Sequence, residues 1–287
     1  MPKRQRTLWR NDVHMVVHEH FISNASSLKK WSLTEAYMSS SIKDHYDAVG
    51  TTTQKARASG ELFRLKKYHN SVKRSLIQKY ATGCERLLDF ACGRGGDLQK
   101  WHDCQVQFVK GVDISPQEIQ EARARYTKLK TTMICSFEVV DLLQNTFHQS
   151  PVYDVVTAMF CIHYFCESPE TLKAFLGLVS SCLRPGGYFL GCCLDGSLVK
   201  TFSGSEYVDI TFVHDTMMVF ALRDTVTSAT SDSQGSEEYL VDITMVRNIA
   251  AEVGLECLHM TPFTPPDDYP GHDISRLFSS FVFRLKE

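Results

Sequence analysis

Among its ten cysteines the chain has no CxxC pair, the spacing on which many zinc sites and redox motifs depend. Several of the cysteines (Cys161, Cys192, Cys193) lie inside apolar runs, where a reduced thiol packs as a small hydrophobe. Neither disulfides nor a metal are expected. Long hydrophobic runs are also missing. The longest are strand-sized, and the opening residues "MPKRQRTLWRNDVHMVVHEH" hold no extended apolar segment. Neither a membrane span nor a secretory signal is expected, and the protein reads as intracellular. A strong charge of one sign is absent too. Thirty-one Lys and Arg against 33 Asp and Glu leave a net charge of −2, which by itself argues against a nucleic-acid binder.

What is there is an ordinary globular composition. The 287 residues, 43% apolar and 22% charged, suffice for one large domain with a filled core. The charge, however, is unevenly placed. Lys55 to Lys79 carries Lys55, Arg57, Arg64, Lys66, Lys67, Lys73, Arg74 and Lys79 against the single acid Glu61. This is a local anion-binding footprint, with a solvated helix face as the alternative. Residues 1–40 show no strand pattern and read as a basic, partly helical arm. Its "MPKRQR" suits a phosphate-binding tail or a nuclear-import signal. His14 and His18 are spaced four apart, with His20 beyond. They resemble half a metal site but lack partners at ligand spacing.

From Glu85 the pattern becomes regular. "ERLLDF", "FVKGVD", "MICSFEVVD", "YDVVTAMF" and "YFLGCC" read as strands. Helices are expected from "DLQKW", "SPQEIQEARARYTKL" (Ser115 as N-cap, Pro116 at the first position) and "PETLKAFLGLVSSCL". "CIHYFCES" reads as a loop, "RPGG" as a turn, and residues 195–240 as an insertion of short strands in which "TSATSDSQGSEE" is a mobile loop. A last helix and strand in "VDITMVRNIAAEVGLECLHM" and a closing strand in "SSFVFRLKE" complete the chain. Strands alternating with helices predict an α/β fold with a mostly parallel sheet, helices on both faces and ligand groups at the strands' carboxyl ends. Asp89, Asp113 and Asp141 all sit at such ends.

The stretch "LLDFACGRGGDLQKW", Leu87 to Trp101, passes from buried strand to glycine loop to helix, the way a backbone is brought close to a ligand. An acid about 20 residues on, Asp113, suits the ribose hydroxyls of either a dinucleotide or S-adenosylmethionine. The near acids favour the second. Asp89 and Asp97 would repel a pyrophosphate but attract a sulfonium and an amino group. The spacing also departs from GxGxxG. A methyltransferase is therefore expected, with a structural turn in some other α/β protein as the alternative.

The same stretch resembles the VLDLGCGKGGDLLKW signature of the mRNA cap guanine-N7 methyltransferases. "FCIHYFCES" resembles that family's FxxHYxFES, "RLKKYHNSVKRSLI" its LRxFNNWIKSxLI, "LRPGGYFLG" its LRPGGYFIG and "EEYLV" its PEYLV. The similarity runs from Asp44 to the C-terminus. It implies a Rossmann-like class I methyltransferase domain over residues 41–287, a seven-stranded sheet, and a small cap-binding β insertion at about 195–240. It also implies an S-adenosylmethionine pocket of Lys73, Asp89, Gly93, Asp97, Asp113, Asp141 and Met159. On the cap side it implies His69, Asn70, Arg94, Arg125, His163, Tyr164, Glu238 and Phe278. Arg94 and Arg125 would face the cap phosphates, His163 and Tyr164 would lie beside the guanine, and Glu238 would accept from its N1 and N2. A packed structural histidine is the alternative for His163. Departures from the family pattern are His69 for Asn, Met159 for Gln, Leu194 for Pro, Asp47 for Asn and Phe278 for Tyr.

The implied reaction is transfer of a methyl group to N7 of the guanosine cap of RNA, in the nucleus, or in the cytoplasm if the protein is viral or acts in recapping, with no metal and no general base. The implied partner is a capped RNA 5′ end, with other capping enzymes or an activating subunit as further candidates. Two other readings remain open: a small-molecule methyltransferase, and a non-catalytic cap-binding module.

Overall fold

The computed structural model describes Lys43, residues 60–144, Phe147, and residues 152–223 and 235–287. The N-terminal arm with His14, His18 and His20, the Asp47 departure, Lys55 and Arg57, and residues 227–234 of the expected loop lie outside these.

The first described helix, α1 (Phe63–Ala81), leads into β1 (Arg86–Phe90), α2 (Leu98–Asp103), β2 (Phe108–Asp113), α3 (Pro116–Lys128) and β3 (Ile134–Val139). Then come β4 (Tyr153–Met159), a short 3-10 helix (Ile162–Phe165), α4 (Pro169–Cys182), β5 (Leu183–Leu194) and α5 (Gly196–Lys200). The chain ends with β6 (Val208–His214), β7 (Met217–Leu222), β8 (Ser236–Tyr239), α6 (Ile243–Glu252), β9 (Leu255–Pro262), α7 (His272–Ser275) and β10 (Phe278–Leu285).

The expected helix starts are present and capped. Ser115 accepts from Glu118 N at 3.1 Å with Pro116 next in line, and Ser168 accepts from Thr171 N at 3.1 Å ahead of Pro169. A hydroxyl there satisfies an N–H with no partner inside the helix, and proline gives up a donor the helix does not use.

Seven strands form one sheet in the order β3-β2-β1-β4-β5-β10-β9, parallel from β3 to β5, with β10 antiparallel to both neighbours. Successive side chains of a strand face opposite ways. Leu87 accordingly packs with Val109, Val155 and Trp101 on one face, while Leu88 packs with Val156, Phe175 and Phe189 on the other. Helices cover both faces, which is why β1 and β4 read as continuous apolar runs. The connection order reverses at β1, whose neighbours β2 and β4 lie on opposite sides. A crevice opens at such a point, outside the strand ends.

The inserted β region is a separate antiparallel sheet, β6-β7-β8. Three local expectations are corrected. "RPGG" is not a turn ahead of a strand but part of β5, taken up as a bulge: Tyr153 pairs with Leu183 while Val155 pairs with Tyr188. "CIHYFCES" holds the 3-10 helix rather than plain loop. The end of "TSATSDSQGSEE" is strand, because Ser236 to Tyr239 pair with Phe220 to Met217 and the ladder overrides a polar, loop-like composition.

Candidate active site

At the crevice, the loop after β1 turns on Ala91, Gly93 and Gly95, all at positive φ. A Cβ on Gly95 would come within 2.8 Å of Leu98 Cδ1, so only glycine lets the loop close onto α2. Asp113, at the end of β2, holds this loop. It accepts from Gly93 N at 2.8 Å and from Ser115 N at 2.9 Å. Asp141 follows β3 and accepts from Leu143 N at 3.0 Å. Gly93, Asp113 and Asp141 line a cleft of about 210 Å³ together with Val140, Leu142, Leu143, Met159, Phe160 and Tyr164. It is mostly apolar, with two acids at one wall.

A second cavity of about 220 Å³ lies across Phe160, which lines both. Phe160 is a non-glycine residue at φ 63°, a conformation kept only where surroundings enforce it. Its N–H donates to Cys192 O at 2.8 Å, and His69 stacks on its ring at 5.5 Å and 22°. The second cavity brings together His69 and Lys66 of α1, His163, Leu194, Phe220 and Leu222 of β7, Glu238 of β8, and Phe278 of β10. The insertion thus supplies one wall of it. Ser236 Oγ donates to Glu238 Oε1 at 2.7 Å, while Oε2 stands 3.9 Å from His163 Nδ1. His163 is buried, and its Nε2 has no hydrogen-bond partner among the described residues. Leaving such an atom unpaired costs about 1–3 kcal/mol, which a ligand that paired with it would recover. Burial lowers the pKa of His163 against the opposing charge of Glu238. Burial, and then the charge of Lys73, push His69 down to about 4. Both rings are neutral near pH 7.

Lys73, Asp89 and Asp97 line neither cavity. They form a buried charged cluster beneath the loop, with Lys73 Nζ 5.9 Å from the Phe160 ring. Asp97 lies between Lys73 Nζ at 2.9 Å and Lys100 Nζ at 2.6 Å. Burial works to raise the Asp97 pKa, but the two ammonium groups outweigh it and hold it below the usual range. Asp89 is pushed up to about 8, first by burial and then by the charge of Asp97, against the hydroxyl of Thr157 that donates to it. The two acids are thus driven apart, Asp89 upward and Asp97 downward. The acids that line the first cleft are Asp113 and Asp141, with Asp89 and Asp97 behind them.

Of the expected cap-side residues, His69, His163, Glu238 and Phe278 come together in the second cavity, and Leu194 joins them. Four do not. Tyr164 lines the first cleft, because in a tight 3-10 turn consecutive residues face about a third of a turn apart. Asn70 points along α1, donating to Lys66 O and accepting from Lys100 Nζ, both at 2.9 Å. Arg94 binds Glu118 at 2.6 Å and Arg125 binds Glu121 at 3.0 Å, and neither lines either of these two cavities. Sequence reasoning missed Lys100, though an acid and a lysine at i and i+3 on a helix start were a legible pair. Phe160 as the shared wall carried no signal, since it depends on a backbone twist.

Residues 30–276 match the family model of the mRNA (guanine-N(7))-methyltransferase domain. An mRNA cap guanine-N(7) methyltransferase of Schizosaccharomyces pombe is 28% identical over 251 residues, 77% of this chain and 68% of that protein. The rice mRNA cap guanine-N(7) methyltransferase 1 is 31% identical over 169 residues, 55% of this chain and 46% of that protein. The Saccharomyces cerevisiae protein of the same description is 26% identical over 262 residues, with coverages of 77% and 58%. The chain thus spans from under half to about two thirds of these relatives' lengths. Among solved structures, an S-adenosylmethionine-dependent methyltransferase from Clostridium acetobutylicum superposes with a TM-score of 0.54 at 15% identity, covering 79% of this chain and 96% of that one. The 1,6-didemethyltoxoflavin-N1-methyltransferase of Burkholderia thailandensis gives 0.56 at 12% identity, with coverages of 93% and 99%. At that distance they bear on the fold alone, which is the Rossmann-like class I fold of S-adenosylmethionine-dependent methyltransferases. With most of its length matched, the chain belongs to the mRNA (guanine-N(7))-methyltransferase domain family.

Proposed function

We propose that this protein transfers a methyl group from S-adenosylmethionine to N7 of the guanosine cap of RNA. The observation that carries this reading is the second cavity. Across Phe160 from the acid-walled cleft stand a carboxylate, Glu238, and an unpaired buried histidine nitrogen, His163 Nε2, among aromatic rings. A carboxylate accepts two donors at once, which matches the N1–H and N2–H edge of guanine.

The first cleft fits the cofactor by its donors and its room. Asp113 suits a ribose diol, Val140, Leu142 and Leu143 offer an apolar slot for a purine, and the loop leaves space at Gly93, where a Cβ would meet only Glu118 Oε2 at 3.5 Å. The cofactor supplies a methyl group on a sulfonium sulfur. Guanine N7 has a lone pair and no proton to lose, so no general base is needed, and the neutral His69 and His163 are left to bind rather than to transfer protons. Phe160 separates the two cavities while keeping them adjacent, Met159 lines the first, and Phe278 and His69 give the purine rings to pack against. Catalysis by this chain is then alignment of two ligands across one wall.

In this reading the methyltransferase domain covers residues 41–287, residues 195–240 are its cap-binding insertion, and Arg94, Arg125 and the α1 lysines lie along the RNA's approach. No helix among the described residues is long and apolar enough to cross a membrane, and no cluster among them suits a metal. mRNA processing in the nucleus belongs to this reading. The test is incubation with GpppN-capped RNA and methyl-labelled S-adenosylmethionine, followed by nuclease digestion. Label in 7-methylguanosine supports the proposal. Label only on members of a metabolite panel, or cap binding in calorimetry without cofactor binding, overturns it.

A further inference from the structure

Lys100 of α2 is only 4% exposed, although it lines neither cavity. An ammonium group taken out of water is costly unless its partners are in place, and here they are. Lys100 Nζ stands 2.6 Å from Asp97 Oδ1 and donates to Asn70 Oδ1 at 2.9 Å and to Gly96 O at 3.3 Å. The three acceptors belong to different parts of the fold: Asn70 to α1, Gly96 to the glycine loop, and Asp97 to the cap of α2. Asp97 is shared. Its other oxygen accepts from Lys73 Nζ at 2.9 Å, and Lys73 follows Asn70 by three residues, on the same side of α1. The helix is thus fastened to the loop at two neighbouring points, one made by Lys100 itself and the other by the carboxylate that Lys100 holds.

Both fastened parts support walls of the cofactor cleft. The loop supplies Gly93, bound to Asp113, and α1 supplies His69, stacked on Phe160. We infer that Lys100 is a positioning residue for S-adenosylmethionine, which through Asp97 and Asn70 keeps the glycine loop and α1 at the separation that the cofactor requires. This rests on the assignment of the first cleft to the cofactor. The fastening needs Asp97 ionised. Its carboxyl faces Lys73 from α1, Lys100 from α2, Asp89 from β1 and the Cys192 thiol from β5. Burial works against the charge, and the two ammonium groups together hold the carboxyl below the usual range. With Lys100 gone, a single cation would stand against burial, so Asp97 would take up a proton at higher pH and release Lys73.

The test is calorimetric binding of S-adenosylhomocysteine to the full chain at about pH 6 and about pH 8, well below the melting temperature of each variant. Lys100→Met should bind about tenfold more weakly than wild type at the higher pH, the scale of one hydrogen bond to a charged group. The deficit should widen at the lower pH. Lys100→Arg, which keeps a cation beside Asp97, should show no such widening. Asn70→Ala should lose affinity by a factor that does not depend on pH, because Asp97 keeps both lysines. Wild-type affinity in Lys100→Met, or a deficit equal at the two pH values, overturns the inference, and Lys100 is then only part of the packed interior. If Lys100→Met does not fold, the other two variants carry the test, and wild-type affinity in Asn70→Ala overturns it. Binding of S-adenosylhomocysteine by wild type without methylation of capped RNA would sink the cap reading and leave this inference standing. No binding at all would remove the cofactor assignment and the inference with it.

Discussion

Gly93 N–H and Asp113 Oδ2 are 2.8 Å apart, joining the glycine loop of one strand to the acid that ends the next. With its other oxygen on Ser115 N, Asp113 closes the wall of the cofactor cleft as well as facing it. Asp113→Asn keeps the shape but sets an amide donor against one of these N–H groups. Cofactor affinity by calorimetry should fall by about 1–3 kcal/mol. The melting temperature should fall too, by about 2–4 °C per kcal/mol of lost stability. Unchanged affinity would remove Asp113 from the binding site, and unchanged melting would show that the loop does not depend on it.

Asp89 gives a pH signature. Its carboxyl titrates near 8 when folded against an ordinary value of 3.8. Between these values the folded state holds a proton that the unfolded state has lost, so this residue's contribution to stability declines as pH rises from about 4 to about 8. Asp89→Asn is neutral throughout. In the absence of cofactor its melting temperature should gain on wild type steadily between pH 5 and pH 8 and then hold a constant difference. A difference that does not change with pH would show that Asp89 is ionised in the fold.

The basic segment is thinner in space than in sequence. Arg64 pairs with Asp268 and Arg74 with Asp103, while Lys73 is buried on Asp97. Lys67 points outward and Lys66 reaches the rim of the second cavity. Replacing Lys66 and Lys67 with Glu should weaken RNA binding and reduce the slope of log K against log salt by about 0.7 for each lost phosphate contact. An unaltered slope would make this side of α1 ordinary solvated surface.

The sheet and its crevice could be read from sequence because buried strands ending in acids are a local pattern: Leu87 to Asp89, Val112 to Asp113 and Val140 to Asp141 each announce themselves within a few residues. The partners of charges could not. Asp97, expected in the cofactor pocket, also pairs with Lys73, 24 residues earlier, and with Lys100. Arg94, expected to face the cap phosphates, also pairs with Glu118. Such pairings depend on how helices pack, and no spacing rule fixes them. His163 and Tyr164 are neighbours in sequence, yet the 3-10 turn sends them to different cavities.

Glu238 offers the most direct test of the cap reading, and the structure sharpens what its substitution should do. Ser236 Oγ donates to Oε1, so in Glu238→Gln the amide oxygen should keep that bond and the amide nitrogen should occupy the place of Oε2. A donor then faces the donors of guanine in a site closed by Phe160, Phe220 and Phe278. Loss in kcat/KM for guanosine-capped RNA should be about 1–3 kcal/mol, with cofactor affinity nearly intact because Glu238 does not line the first cleft. Inosine-capped RNA, lacking the N2 donors, should suffer less, so the mutant should discriminate less between the two caps than wild type does. The opposing possibility is that Glu238 serves only to hold the β7–β8 ladder through Ser236. In that case thermal stability falls, while guanosine and inosine caps respond alike, and the carboxylate has no part in reading the base.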